Sequence, residues 1–365
     1  MNGSWSRIIG AVGGAAAAVA FLAAGTALAR VTGPCANCHT MHNSQDGGPV
    51  AAGGPYAYLT TDDCVGCHTN PSGGETVLDL GGGTLVPVVN TAAPPVTPLA
   101  AGNFYWVRGG NDTKGHNCLT VPGITQDQFL AKAPGTSRGG PQCMACHGRI
   151  SNCESCHTPR HHADDSGSGP VGEAGGWYRF LNSSAHGQSD TGVIGIEDAD
   201  WEHTVSAADH NEYRGTTNAY GIDDNSMSNY CGGCHDQFHG ILWTDGSNPD
   251  NHSPWFLHPT HLALADTDPG KEYHFYNTAN GTAPGPYNPL VPVARDPGRL
   301  AGMTGPDAQV YVAAGEAQGD QVMCLSCHRA HGSPYDDMLR WDYQACDAGS
   351  PSADCGCFVC HTSKD

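Results

Sequence analysis

The chain has 365 residues and a formal charge of −20, with 16 Lys and Arg against 36 Asp and Glu. A phosphate backbone is bound by clustered Lys and Arg that displace counterions; no such cluster occurs, so nucleic acid and anionic membrane surfaces are excluded as partners. With 50 Gly and 25 Pro, few stretches keep helical or strand periodicity, and something other than protein is expected to fill the interior.

The first element is a leader. Arg7 precedes an apolar run from Ile8 to Leu22, and Ala27-Leu28-Ala29 follows as a small-residue cleavage signal. Residues 1–29 are expected to be a removed signal peptide. Residues 30–365 then form a single unit, its charge moved from −20 to −21 by the loss of Arg7. The run is short for a membrane span and is diluted by Gly10, Gly13 and Gly14. No later stretch is long and apolar enough to cross a bilayer.

From Cys35 onward, one pattern, Cys-x-x-Cys-His, recurs seven times. The copies are Cys35 and Cys38 with His39, Cys64 and Cys67 with His68, Cys143 and Cys146 with His147, and Cys153 and Cys156 with His157. Then come Cys231 and Cys234 with His235, Cys324 and Cys327 with His328, and Cys357 and Cys360 with His361. Two thiols three residues apart stand about one helical turn apart. They can bond the two vinyl groups on one porphyrin edge, and the following His rises beneath the ring as the proximal iron ligand. This is the attachment signature of c-type haem. Zinc sites do not require a His after each Cys pair, and thioredoxin-like chemistry uses one such pair in an α/β fold. With 20 His in the chain, chance does not place one after all seven pairs. Seven haem c groups are the expected cofactors. Their attachment takes place outside the cytoplasm, in agreement with the leader.

Successive signatures start 29, 79, 10, 78, 93 and 33 residues apart, so the chain is not a solenoid. The intervals carry turn clusters such as Gly81-Gly82-Gly83, Pro94-Pro95 and Gly281-Thr282-Ala283-Pro284-Gly285-Pro286. Short helices are expected over residues 125–133, 200–211 and 259–265, and a short strand over 310–313. The expected fold class is mostly irregular coil with a few short helices and minimal strand, an elongated unit cored by haem. Three Cys lie outside the signatures: Cys118, Cys346 and Cys355. Cys346 and Cys355, close in sequence, are the pair expected to bridge. Cys355 also permits a longer Cys-x4-Cys-His reading with Cys360, against which the standard spacing from Cys357 is preferred.

Thirteen His remain after the seven proximal ones, enough for a second imidazole on each iron. The Met residues are scattered, so bis-His, low-potential iron is expected. His42, His161, His162, His239 and His331 follow a signature closely. Such a residue lies on the wrong side of its own haem but can reach a neighbouring one. His116, His210 and His258 are further candidates from loops; His186, His203, His252, His261 and His274 are less favoured. No catalytic residues are expected. A multihaem nitrite or hydroxylamine reductase needs an open iron position, whereas every signature here ends in His. The alternatives are a polymerising extracellular conduit and a monomeric periplasmic or cell-surface carrier.

The stretch Cys35 to Ser44, with His39-Thr40-Met41-His42, resembles the opening of the OmcS-type multihaem cytochromes of metal-reducing bacteria, an extracellular nanowire family. The likeness continues at Asn103 to Val107, Lys114 to Asn117, Met227 to His239, Cys324 to Gly332 with Met338 and Arg340, and the last signature before its Lys-Asp tail. The resemblance implies a secreted homopolymer whose haems stack through many subunits. In it His42 ligates a haem of the adjacent subunit. The intramolecular distal ligands are His116, His239, His258 and His331, with His161 or His162. Other cytochromes or extracellular acceptors such as metal oxides would be its redox partners. The chain departs from the family where Cys143 to His147 and Cys153 to His157 stand in place of one signature.

Overall fold

A computed structural model describes residues 31–45, 48–49, 59–60, 63–130, 133–134, 152–165, 167–182, 192–216, 225–235, 260, 263–264, 276, 285–311 and 319–361. The expected leader, the Cys143–His147 signature, His186, His239, His252, His258, His261 and His274 lie outside these residues, as does most of 259–265. Among the described residues the backbone is mostly coil, with short helices and strands of two or three residues.

The longest helix, α1 (Met227–Gly232), begins where the Ser226 hydroxyl accepts from the Asn229 N–H at 3.1 Å. Helix α2 (Pro297–Leu300) combines Pro at its first position with an Asp296 cap that accepts from the Arg299 N–H at 3.0 Å. Helices α3 (Cys324–Cys327) and α4 (Cys357–Cys360) are single turns made by two of the signatures.

Strands β1 (Ser44–Gln45) and β2 (Gly48–Pro49) form a small antiparallel pair, and β3 (Thr69–Asn70) pairs parallel with β6 (Asn90–Thr91). The Gly81–Gly83 cluster turns the hairpin between β4 (Val77–Asp79) and β5 (Leu85–Pro87); all three glycines have positive φ. Strands β7 (Gly195–Ile196), β8 (Glu212–Arg214) and β9 (Ala294–Arg295) build the three-stranded sheet, antiparallel then parallel.

Two of the expected helices are replaced by turns in the residues described, for a local reason. Over residues 200–211, Asp198 Oδ2 accepts from the Glu202 N–H at 2.6 Å, Asp200 Oδ2 from Thr204 N–H at 3.0 Å, and Ser206 Oγ from Ala208 N–H at 3.2 Å. Near residue 127, Asp127 Oδ1 takes the Phe129 and Leu130 N–H groups at 2.6 and 3.0 Å. Side chains that capture nearby N–H groups draw the backbone away from helix. Residues 310 and 311 of the expected strand are coil; the rest of it is outside the described residues.

Apolar side chains gather in separate clusters beside the signatures. Val171, Tyr178, Val193, Tyr213 and Tyr230 pack around the β7–β8–β9 sheet, with Cys231 against them. Tyr287, Val293, Trp341 and Val359 form a second cluster, touched by Cys327 and Cys357. Phe104, Val107, Cys118 and Val121 form a third, touched by Val65 and Cys153. A fully buried ion network stands at the sheet. Arg295 donates to Glu212 at 2.5 and 2.9 Å and to Asp320 at 2.7 Å.

Candidate haem-binding centres

Each described signature is one turn closed by the same bond. The His N–H donates to the carbonyl of the first Cys, four residues back, at 2.8 Å in His39, 3.0 Å in His68, 2.9 Å in His157, 3.0 Å in His235, 3.1 Å in His328 and 2.9 Å in His361. That turn sets two sulfurs and one imidazole on one face.

Four pairs of imidazoles face one another. Ring centroids lie 5.9 Å apart for His39 and His162, 6.3 Å for His68 and His161, 6.2 Å for His116 and His235, and 6.0 Å for His157 and His331. Two imidazoles bound to one metal at about 2.0–2.1 Å per bond, each adding its ring radius, have centroids roughly 6 Å apart. The spacing suits an iron between the rings and is too wide for direct stacking. The neighbouring residues His161 and His162 face two different signatures, and neither faces the nearby His157.

The second ring nitrogen is held by backbone. Nδ1 donates to the carbonyl of Pro87 from His68 (2.7 Å), of Arg179 from His157 (2.9 Å), of Pro134 from His235 (2.8 Å), of Asp337 from His328 (2.7 Å) and of Ala330 from His116 (2.8 Å). This fixes the tautomer with Nε2 unprotonated and able to bind metal. Burial acts the same way: it lowers His157, His161 and His328, and takes His331 down to about 3, so these rings are neutral at pH 7.

The sulfurs mark where thioether bonds would form, and those of successive described signatures influence one another. Burial raises Cys38, and nearby Cys67 adds to the rise. Cys64 is raised chiefly by its hydrogen bond with Cys153. Burial pushes Cys156 up to about 12, with Cys234 contributing. Cys231 is raised by its hydrogen bond with Cys324. Burial takes Cys327 to about 12, with Cys357 adding to it. Each of the six described signatures thus lies near another of them. Most of them turn one sulfur to the preceding described neighbour and the other to the next.

His210 stands in a different setting from the paired rings. It is fully buried, its Nδ1 bonded to the Ser206 carbonyl at 3.1 Å and its Nε2 to Glu212 Oε1 at 3.1 Å, with its ring stacked 3.5 Å from Tyr287. A main-chain carbonyl thus holds Nδ1, and the ion network holds Nε2. His42 is exposed on a tight turn. Cys118 is buried beside Thr120 Oγ1, 3.4 Å away. Cys346 and Cys355 form a disulfide. The carbonyls that hold the imidazoles had no signal in the sequence, because a main-chain oxygen leaves no residue type to read.

Residues 316–365 match the family described as a doubled CXXCH motif, which spans the last two signatures. Over 376 aligned residues the chain is 26% identical to the C-type cytochrome OmcS of Geobacter sulfurreducens, covering 90% of this chain and 82% of that protein. The chain is a relative of the OmcS-type cytochromes. Its fold also resembles the outer membrane cytochrome S filament of Geobacter sulfurreducens, with a TM-score of 0.52 at 21% identity over 87% of this chain and 85% of that one. The coil-rich architecture with few short helices is thus shared with an OmcS-type fold. The CXXCH turns, the neutral imidazole pairs and this relationship together fit haem c, which when bound supplies a one-electron centre. Among the described residues no helix is long and apolar enough to cross a membrane.

Proposed function

We propose that the chain conducts electrons along a line of covalently attached bis-His haems, one at each of its seven signatures, and polymerises head to tail into an extracellular filament. The observation that carries this reading is the proximity of successive described signatures. Among the described residues Cys64 hydrogen-bonds Cys153 and Cys231 hydrogen-bonds Cys324, Cys327 and Cys357 share one apolar cluster, and the centroid spacing of the paired imidazoles suits an iron between them. Cys35, Cys38, Cys64, Cys67, Cys143, Cys146, Cys153, Cys156, Cys231, Cys234, Cys324, Cys327, Cys357 and Cys360 would hold the porphyrins. On this reading the paired rings give His161, His162, His116 and His331 as second ligands, with His239 and His258 completing the set. Electrons would pass to other cytochromes or to extracellular acceptors such as metal oxides.

His42 is the residue assigned to the subunit boundary. It sits at φ 55° and Asn43 at φ 73°, a two-residue turn closed by Met41 and Ser44 at 3.1 and 2.9 Å. The turn leaves His42 exposed beside Met41, which is 69% exposed. A heterologous contact of this kind does not close and propagates as a fibre. Replacing His42 by Ala should abolish filaments in electron micrographs while the mass of the chain still includes every haem. Unchanged filaments would remove His42 from this role, and a single small species for the wild type at all concentrations would favour a monomeric carrier.

A further inference from the structure

The last signature is crowded by sulfur. The Sγ atoms of Cys346, Cys355 and Cys357 all lie within 4.8 Å of one another, and the first two are joined as a disulfide. Packing imposes the crowding. Cys355 and Cys357 flank Gly356, where a Cβ would fall 2.2 Å from the buried Trp341 ring. The turn at Tyr343–Ala345 and the bridge between Asp347 and Ser350 bring Cys346 onto the same spot. A metal site of three sulfurs is not the reading, because the two oxidised sulfurs offer no thiolate.

We propose that the Cys346–Cys355 disulfide guards haem attachment at Cys357 to His361 by withdrawing the two thiols that would compete with Cys357. This rests on the reading of that signature as an attachment site. In attachment the Cys357 S–H adds across a vinyl double bond. An S–C bond forms, the S–H bond and the vinyl π bond break, and the proton passes to the other vinyl carbon, with no net oxidation. A free thiol at position 355 opens two competing routes. It can add to the vinyl itself, since Cys355 and Cys360 offer the longer Cys-x4-Cys-His spacing. Alternatively it can pair with Cys357: the S–S bond forms as both thiols lose their protons, and a low-molecular-weight disulfide takes the two electrons and is reduced to two thiols. The second route consumes the sulfur that attachment needs. A free thiol at position 346 can do the same.

The test is intact-mass and peptide analysis of the full chain secreted from a host that matures c-type cytochromes, as wild type, Cys346→Ser, Cys355→Ser and the double variant. The wild type should carry haem on Cys357 and Cys360. Each single variant should contain a fraction lighter by one haem. In Cys346→Ser that fraction should hold a bond between Cys355 and Cys357, while haem displaced to Cys355 leaves the intact mass unchanged and is read from the peptides. The double variant should regain full loading at Cys357. The guard is overturned if the single variants are loaded at Cys357 as completely as the wild type. It is equally overturned if the double variant loses as much as the singles, since the loss would then come from the fold. Absence of haem from this peptide in the wild type would overturn the underlying attachment reading instead, and the guard with it.

Discussion

The carbonyl of Arg179 accepts the Nδ1–H of His157 at 2.9 Å while Arg179 is held at φ 48°, in the left-handed region. The device occurs twice. Asp337, at φ 56°, accepts from His328 at 2.7 Å. In each case the next residue is also left-handed, Phe180 and Met338 both at φ 58°, and its carbonyl accepts the N–H of the residue after the His, Thr158 or Arg329, at 2.8 Å. Left-handed backbone costs a non-glycine residue roughly 1–2 kcal/mol, so two strained residues in a row aim both carbonyls at one signature.

Asp337 is exposed, so its backbone can be tested without disturbing a core. Asp337→Gly should leave the unfolding midpoint unchanged or slightly raised, because Gly adopts this conformation freely. Asp337→Val should lower stability by about 1–2 kcal/mol. It should also shift the redox potential assigned to the Cys324 to His328 centre, by loosening the Nδ1 bond. Potentiometric titration of both variants checks this; equal potentials would show that the carbonyl does not tune the ring.

Removal of one ring from a facing pair should free one iron position. His161→Ala is expected to convert one centre per chain from low-spin to high-spin, seen by electron paramagnetic resonance, with added imidazole restoring the original signal. A wild-type spectrum would mean that His161 and His68, 6.3 Å apart, do not share a metal.

Gly102 sets the position of His331. It bridges in parallel to Gly332, and a Cβ on Gly102 would fall 1.9 Å from the Gly332 carbonyl oxygen, at a backbone φ of 82°. His331 is anchored next door by its N–H bond to Ala101 at 2.8 Å. Gly102→Ala should therefore destabilise the fold by about 1–3 kcal/mol. It should also displace His331 from His157, giving a high-spin signal. Thermal unfolding and the same spectroscopy report the two effects separately.

The buried ion network predicts an acid limit. Burial works against ionised Glu212, but hydrogen bonds from His210 and Arg295 outweigh it and hold the carboxyl below its ordinary 4.5. A depressed carboxyl contributes stability that is present above the unfolded value and is lost as pH falls through the folded one. Unfolding midpoints of the wild type should accordingly be lost below about pH 4.5. Glu212→Gln leaves the buried Arg295 with Asp320 as its remaining carboxylate, should cost up to about 3–5 kcal/mol at neutral pH, and should flatten that acid dependence.

The chemistry was more legible than the architecture. Cys and His at fixed spacing announce haem attachment because the thioether and the iron bond each demand a particular residue. That spare His residues follow a signature closely was also readable. Which ring meets which was not: His331 reaches His157 across 174 positions of sequence through the Gly102 to Gly332 bridge, which no local pattern encodes. His210 stands apart from the facing pairs because the Ser206 carbonyl holds its Nδ1 and Glu212 its Nε2. The helix expected over residues 200–211 failed because Asp198, Asp200 and Ser206 bond their own backbone.

The groups that orient the imidazoles of His68, His116, His157, His235 and His328 are all peptide oxygens. Every amino acid brings that atom, so mutation at those five positions can proceed without erasing the acceptor, provided the chain still passes the same way. Such a scaffold can drift far while its coordination geometry stands still. That gives a physical basis for a likeness to OmcS that survives at 26% identity.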